Sequence, residues 1–286
     1  MSQEEFRFYF LLFAFFSLGM GGCIGSFLNV CIYRVPRGES VVKPRSHCPR
    51  CGYMIPWYQN IPILSWLCLR GKCAKCKGPI SFRYTLVELM TALLFLAVYM
   101  KWVSPWALAM PAIPHPAVIP CYWLFLSGLI VGTFVDLKHF IIPDSVTIGG
   151  MVAGPILSAC VPYLHGEAVW YQGLASSLIG EAAGFGLLFA IAEIGTRIFK
   201  KEAMGFGDVK LMGAIGAFLG WKAVLFTVFV SSLLGSLSGL ILIACGGVRL
   251  QSRIPFGPYL AAAAAIWVFW GPKLLDLYLN LTRAAS

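Results

Sequence analysis

Long apolar segments are the feature of this sequence that most constrains its fold. Hydrophobic residues make up 59% of the 286 positions and charged residues only 12%, whereas soluble domains carry about 25% charged residues. A membrane-spanning helix needs about 20 predominantly apolar residues. The segments that approach this length are 8–31, 84–100, 118–135, 146–163, 171–196, 209–221, 223–245 and 257–271. The sequence therefore predicts an all-α polytopic protein of the lipid bilayer, with about eight transmembrane helices.

We expect the first of these segments to be retained rather than removed as a signal peptide. The residues before it, Ser2-Gln-Glu-Glu5, are acidic where a signal peptide is basic. No small-x-small cleavage site follows the apolar stretch. The segment 8–31 is therefore expected to be the first membrane span.

The net charge of +10 is concentrated in one polar segment, 34–83, which holds ten of the 22 Lys and Arg residues and a single acidic residue, Glu39. No basic stripe runs along a helix and no nucleic-acid-binding module is recognisable, so we expect no nucleic-acid partner. If 34–83 is cytoplasmic, alternation of the spans places 17 Lys and Arg residues on that side and five on the other. The positive-inside rule therefore predicts a cytoplasmic segment 34–83 and exterior termini.

Two CxxC pairs lie in this polar segment, Cys48-Pro-Arg-Cys51 and Cys73-Ala-Lys-Cys76, with 21 residues between them. Each pair can present two thiolates to one tetrahedral ion, and four thiolates are typical of a structural zinc site. Disulfides are disfavoured in the cytoplasm because thiols stay reduced there. His47 is adjacent, but four cysteines already complete the coordination. The spacing predicts one bound metal ion per chain, with zinc and iron both open on ligand type alone.

Six carboxylates lie within or near the predicted spans, where charge is costly and marks a functional candidate. They are Glu88, Asp136, Asp144, Glu181, Glu193 and Asp208. Asp136 ends the third span and Asp208 begins the sixth, so the predicted topology puts both at the cytoplasmic boundary. Two carboxylates brought together share one proton, so that one can activate a water while the other protonates a carbonyl. Gly205 and Gly207 before Asp208 would let an extended substrate backbone approach.

Structural roles for these carboxylates are also open. Asp208 can be a helix N-cap after a glycine turn, and Asp136 can form an interfacial ion pair with Lys138 or Lys210. Asp144 follows a proline and precedes a new span, so an N-cap is its better interpretation. No GxSxG motif and no HExxH motif is present to supply a serine nucleophile or a metalloprotease helix.

Several motifs follow one another in a specific order. They are Gly25-Ser-Phe-Leu-Asn-Val30, the two CxxC pairs, Arg83-Tyr-Thr-Leu-Val-Glu88, the segment from Asp136 to Asp144, Gly205-Phe-Gly-Asp208 and Ile254-Pro-Phe-Gly-Pro-Tyr259. With these motifs the chain resembles, over nearly its whole length, the bacterial type IV prepilin peptidases. These are bifunctional leader peptidases and N-methyltransferases of type IV pilus and type II secretion systems. Gly-x-Gly-Asp alone is a weak signal, whereas the ordered set is highly specific.

The resemblance implies that Asp136 and Asp208 are the catalytic aspartates of a Gly-x-Gly-Asp membrane protease in the bacterial inner membrane. Its substrates would be prepilins and pseudopilins. The cut would fall after a glycine, between a short basic leader and a hydrophobic helix. The cytoplasmic placement of both aspartates agrees with this expectation.

The resemblance further implies N-methylation of the new N-terminus with S-adenosylmethionine as donor, and it matches Cys48, Cys51, Cys73 and Cys76 to the family's cysteine tetrad. The implied organisation is a first transmembrane helix (1–33), a cytoplasmic zinc-binding insert associated with methyl transfer (34–83) and a peptidase bundle (84–286). No nucleotide-binding fingerprint locates the donor. Gly71, Glu88 and the turn at 25–29 are candidates by family proximity only.

Three other functions are compatible with parts of the sequence. A peptidase without methyltransferase activity would use the same aspartates. A non-catalytic membrane scaffold could dock partners through the metal-binding insert. A transporter could relay protons through intramembrane carboxylates, but it would have no role for the cysteine insert or for paired aspartates at one boundary.

Overall fold

The computed structural model of the chain describes residues 2–103, 116–201, 204–245 and 254–285. Within these ranges nine α-helices follow one another. They are α1 (Gln3–Arg34), α2 (Leu64–Cys68), α3 (Phe82–Val103), α4 (Val118–His139), α5 (Asp144–Cys160), α6 (Trp170–Phe199), α7 (Phe206–Leu219), α8 (Trp221–Ala244) and α9 (Gly257–Ala285). Apart from the short α2, each helix coincides with one of the predicted apolar segments. The described ranges contain no β-strand, and the predicted all-α membrane fold is confirmed.

Helix length divides the apolar helices into two groups. Six of them (α1, α3, α4, α6, α8 and α9) are long and apolar enough to cross a membrane. The other two are shorter, with 17 residues in α5 and 14 in α7. At 1.5 Å per residue they measure about 26 and 21 Å, less than the roughly 30 Å of a hydrocarbon core. Gly220, with φ of +79°, ends α7 and separates it from α8.

Packing divides the chain into two compact units, Met1–Val131 and Gly132–Ser286. The polar insert belongs to the first unit and lies between α1 and α3. The Nδ2 atom of Asn29, in the last turns of α1, donates a 2.9 Å hydrogen bond to the carbonyl oxygen of Tyr84 at the start of α3. This bond holds the two ends of the insert together. Arg249 and Arg253, which contribute to the predicted charge asymmetry, lie outside the described residues.

Close approach of α1 and α3 shapes the first unit. A Cβ atom on Gly21 would lie 2.7 Å from Cα of Ala92, and one on Gly25 would lie 2.7 Å from Cα of Glu88. Small residues allow such contact where lipid tails are as apolar as the side chains they would replace. Gly21 and Gly25, the glycine of the 25–30 motif, therefore have a packing role, which brings the second half of α1 against the first turns of α3.

The second unit is built around α7. All but one of the residues from Val209 to Phe218 are buried, and α5, α6, α8 and α9 all contact this helix. A helix that is apolar all round is typically buried in this way. A Cβ atom on Gly180 of α6 would overlap the carbonyl oxygen of Gly216 in α7. Contact on every side fixes the position of α7 and so of its first turn, which carries Asp208.

Candidate active site and metal centre

Asp136 lies in the last turn of α4 with only 5% of the residue exposed. Its Oδ2 accepts a 3.0 Å hydrogen bond from the backbone N–H of Gly257, the first residue of α9. A Cβ atom at position 257 would lie 2.7 Å from that oxygen and 3.0 Å from Cδ1 of Ile142. Gly257 is thus a site residue that the sequence reasoning missed. Its only signal was its place in the 254–259 motif.

Asp208 lies in the first turn of α7, but it is not the N-cap. The N-cap is Gly205, whose carbonyl oxygen accepts a 3.1 Å hydrogen bond from the N–H of Asp208. The Oδ1 atom of Asp208 is buried and has no hydrogen-bond partner among the described residues. A buried polar atom without a partner costs about 1–3 kcal/mol, so this oxygen is suited to bind a water or a substrate group.

The two aspartates are brought into one neighbourhood around Ile142. A Cβ atom on Gly207 would lie 3.3 Å from Cβ of Ile142, and the same isoleucine contacts the position of Gly257 beside Asp136. Ile142 thus lies beside Gly207, which precedes Asp208 in the chain, and beside Gly257, which hydrogen-bonds Asp136. Two carboxylates within such reach share a proton more readily than both ionise, which is what acid–base catalysis by an aspartyl pair requires.

Asp144 has a different role from the N-cap that the sequence suggested. Pro143 occupies the N-cap position and Asp144 is the first residue of α5. Its Oδ1 lies 2.5 Å from Nζ of Lys210 on α7, although 64% of the Asp144 side chain is exposed. Lys210 therefore pairs with Asp144, and no ion pair of Asp136 is found in the part of the chain that the structure describes.

The other three carboxylates singled out in the sequence differ from one another in their surroundings. Glu193 forms a 2.8 Å ion pair with Arg197, one turn further along α6. On the same helix, Oε2 of Glu181 is buried, with no hydrogen-bond partner among the residues described. Glu88 belongs to the first unit, where it accepts a 2.7 Å hydrogen bond from the N–H of Ile63.

The four predicted metal ligands come together. The sulfur atoms of Cys48, Cys51, Cys73 and Cys76 all lie within 4.8 Å of one another, and those of Cys48 and Cys76 are 3.9 Å apart. Zinc–sulfur bonds of about 2.3 Å in a tetrahedron require sulfurs about 3.8 Å apart. His47 is not among these ligands. The cluster could therefore hold one tetrahedral zinc ion.

Each CxxC pair forms a tight turn, called a knuckle below, at 48–53 and at 73–78, and the two turns are equivalent. The N–H of Cys48 donates to the carbonyl oxygen of Tyr53, and the N–H of Cys73 donates to that of Gly78. In each knuckle the residue after the second cysteine has a left-handed backbone. This residue is Gly52, with φ of +68°, in the first knuckle and Lys77, with φ of +55°, in the second.

Backbone groups prepare two of the thiols for metal binding. The N–H groups of Cys51 and Arg50 lower the pKa of the Cys48 thiol to about 6, and the equivalent groups of the second knuckle lower the pKa of Cys73. A hydrogen bond from the backbone of Tyr53 lowers the pKa of the Cys51 thiol, but burial and the neighbouring sulfurs together outweigh it and raise that pKa to about 11. Four adjacent sulfurs thus become fully anionic only with a compensating cation.

Family models match the two halves of the chain. The model of the bacterial peptidase A24 N-terminal domain matches residues 20–102, which include the cysteine cluster and Glu88. The model of the type IV leader peptidase family matches residues 123–240, which include Asp136 and Asp208. No solved structure matches the chain significantly.

Curated relatives extend the similarity over most of the chain. A prepilin leader peptidase/N-methyltransferase of Aeromonas hydrophila is 36% identical over 95% of this chain and 94% of its own length. Its counterpart in Pseudomonas aeruginosa is 32% identical over 94% of each chain. A relative of the same name in Myxococcus xanthus is 41% identical over 82% of this chain, which spans only 65% of that longer protein. The chain therefore belongs to the type IV leader peptidase family of multi-pass inner-membrane enzymes.

Proposed function

We propose that this protein removes the leader of type IV prepilins and pseudopilins through Asp136 and Asp208, and then N-methylates the new N-terminus. The observation that carries the peptidase half is the placement of two aspartates around Ile142, at the ends of α4 and α7, with Asp136 buried and the Oδ1 atom of Asp208 also buried. In the part of the chain that the structure describes, Oδ1 of Asp208 has no hydrogen-bond partner. The contacts that the two aspartates make within the chain do not account for this arrangement as a structural one.

The contacts of the two aspartates support different tasks for them. Asp136 accepts an amide hydrogen bond from Gly257, which favours its ionised form, so it takes a proton from the attacking water. Asp208 holds the shared proton and donates it to the carbonyl oxygen of the scissile glycine. When the tetrahedral intermediate collapses, the C–N bond breaks and the leaving amine takes the proton held by Asp136, while one hydroxyl of the intermediate returns its proton to Asp208 as the C=O bond re-forms.

The reaction takes place at the cytoplasmic boundary of the membrane. Alternation of the helices and the concentration of Lys and Arg in 34–83 support this orientation. The chain then has three functional parts: the first transmembrane helix (1–33), a cytoplasmic metal-binding insert (34–83) and the peptidase bundle (84–286). A basic leader in the cytoplasm and a hydrophobic helix in the bilayer would meet the aspartates at their junction.

The methyl-transfer half belongs to the first unit. S-adenosylmethionine supplies an electrophilic methyl group on sulfur when it is bound. The cysteine cluster holds zinc as a structural ion, because four thiolates leave no open position for a substrate. In this role Cys48, Cys51, Cys73 and Cys76 tie the two knuckles of the insert into one folded module.

A prepilin cleavage assay with purified protein in detergent tests the peptidase. We expect Asp136→Asn and Asp208→Asn each to reduce kcat/KM by a factor of 10³ or more, because neither can exchange a proton. Asp144→Asn is a matched control, since this exposed carboxylate pairs only with Lys210, and it should cleave within a few-fold of wild type. Wild-type cleavage by either of the first two variants would overturn the aspartyl mechanism.

A further inference from the structure

A cavity of about 630 Å³ lies in the first unit. Its walls come from the end of α1 at Ser26 and Tyr33, from the start of α3 at Tyr84, and from both metal knuckles through Cys48 and Cys73. Small-molecule sites in proteins have volumes of about 300–1,000 Å³. The cavity therefore has the size of a site for a cofactor, and neither the peptidase mechanism nor the metal ion uses it.

One buried polar atom points to a ligand in this cavity. Thr85 lines it and is 5% exposed, and its hydroxyl has no hydrogen-bond partner among the described residues. Glu88 lies one turn further along the same helix and lines the cavity too. One of its oxygens accepts the N–H of Ile63. Buried hydroxyl groups are normally hydrogen-bonded, so the Thr85 hydroxyl calls for a partner that enters from the cavity.

The charged residues around the cavity favour binding of a ligand that carries one carboxylate and two positive charges. Glu39 is the only acidic residue of the basic segment 34–83, and it lines the cavity together with Glu88. The cavity wall therefore carries two carboxylates although the segment around it is basic. Both terminal nitrogens of the Arg34 guanidinium donate hydrogen bonds within the chain, to the carbonyl oxygens of Ser40 and Pro44. Arg50 also lines the cavity and supplies a cation for a carboxylate.

Aromatic rings complete the lining. Trp66 is held by a 3.2 Å hydrogen bond from its Nε1 to the carbonyl oxygen of Ile80 and by an edge-to-face contact with Phe82, with ring centroids 5.5 Å apart. Tyr33 and Tyr53 line the same cavity. Such rings stack on a planar base and attract a cation to their faces.

We propose that this cavity binds the methyl donor S-adenosylmethionine, with Thr85 as a hydrogen-bonding residue and Glu88 facing the cationic part of the molecule. The donor has a planar adenine, a positively charged sulfonium, and an amino-acid end with an ammonium and a carboxylate. Each of these groups finds a complementary group on the cavity wall. This inference rests on the proposed N-methyltransferase activity, and it gives that activity a location.

Equilibrium dialysis of the full-length protein in detergent micelles tests the site without any turnover. The probes are radiolabelled S-adenosylmethionine and its product S-adenosylhomocysteine, which lacks the charge on sulfur. We expect Thr85→Val to weaken binding of the donor about five- to tenfold, the effect of one lost hydrogen bond. We expect Glu88→Gln to weaken binding of the donor tenfold or more, and binding of the product by less, because the missing charge faces the sulfonium.

Matched controls separate a ligand contact from a structural effect. Thr227 is also buried with an unpartnered hydroxyl, but it lies on α8 outside the cavity, so Thr227→Val should leave donor affinity unchanged. Glu193→Gln removes an exposed carboxylate of α6 and should also bind normally. Thermal unfolding of Thr85→Val should match wild type, since valine has the shape of threonine. If Glu88→Gln fails to fold, Thr85→Val decides alone.

The outcomes distinguish this site from the enzyme's activity. Wild-type donor affinity in Thr85→Val would overturn the cavity as the site, while methylation of cleaved prepilin would leave the N-methyltransferase proposal standing. A wild-type protein that cleaves prepilin but binds neither probe and methylates nothing would overturn both the donor site and the N-methyltransferase proposal. Loss of donor affinity in Thr85→Val, with normal folding and normal cleavage, would support the assignment.

Discussion

The backbone N–H of Gly257 donates a 3.0 Å hydrogen bond to Oδ2 of Asp136, across 121 positions of sequence. The first turn of α9 thereby orients a carboxylate at the end of α4. The absence of a side chain at 257 is necessary, because a Cβ atom there would lie 2.7 Å from the same oxygen. Gly257 is therefore a positioning residue of the proposed active site.

Gly257→Ala should cost activity far more than stability. The added methyl group displaces the Asp136 carboxylate, and a misplacement of about 1 Å costs on the order of 10²-fold in rate. The measurements are kcat/KM for prepilin cleavage and the thermal unfolding midpoint. Gly186→Ala is the control, because a Cβ atom at that helical position meets nothing within 4 Å. An unchanged kcat/KM in Gly257→Ala would show that this contact does not orient the base.

The contact between α6 and α7 predicts a second glycine effect, this time on stability. A Cβ atom on Gly180 would overlap the carbonyl oxygen of Gly216, and backbone atoms cannot move aside as a side chain can. Gly180→Ala should therefore lower the free energy of unfolding by about 1–3 kcal/mol or more, with loss of cleavage because α7 carries Asp208. Unfolding in detergent, with Gly186→Ala for comparison, measures this. Equal stability of the two variants would contradict the packing.

Metal removal should separate the two proposed activities. Purified protein should contain about one zinc ion per chain, and replacing Cys48 and Cys51 together with serine should abolish it. Both knuckles line the cavity, so this variant should lose binding of the methyl donor. It should retain prepilin cleavage, since the aspartates belong to the other compact unit. Cys68→Ser, an exposed cysteine outside the cluster, is the control. Stoichiometric metal that persists in the double variant would exclude this site.

The two knuckles offer a reciprocal test of backbone strain. Gly52 and Lys77 occupy equivalent left-handed positions, where a residue with a Cβ atom costs roughly 1–2 kcal/mol relative to glycine. Lys77→Gly should tighten zinc binding several-fold, and Gly52→Lys should weaken it by a similar factor, as measured by competition with a chelator. The zinc affinity of the double variant should be close to that of wild type, apart from the effect of moving the lysine charge from position 77 to position 52. Weaker binding by Lys77→Gly would contradict the strain argument.

Much of the architecture was readable from the sequence, because it depends on local composition. Uninterrupted apolar runs located the eight apolar helices of the described residues, six long and two shorter, since the bilayer requires such runs wherever a helix crosses it. The two CxxC pairs predicted a four-thiolate cluster because a CxxC turn is itself sufficient to place two sulfurs on one ion. The Gly-x-Gly-Asp motif and the end of the third span singled out Asp208 and Asp136 by their position at helix ends.

Which distant groups meet depends on how the helices pack. Helices that are apolar on every face carry no stripe that predicts their neighbours, so the burial of α7 could not be read from its residues. The hydrogen bond from Gly257 to Asp136, the ion pair of Lys210 with Asp144, and the cavity beside Thr85 all depend on how helices pack. Local composition and motifs specify the helices and the candidate reactive groups. Packing through small residues such as Gly25 and Gly180 determined which of these groups share a site, because only close backbone contact brings them within bonding distance.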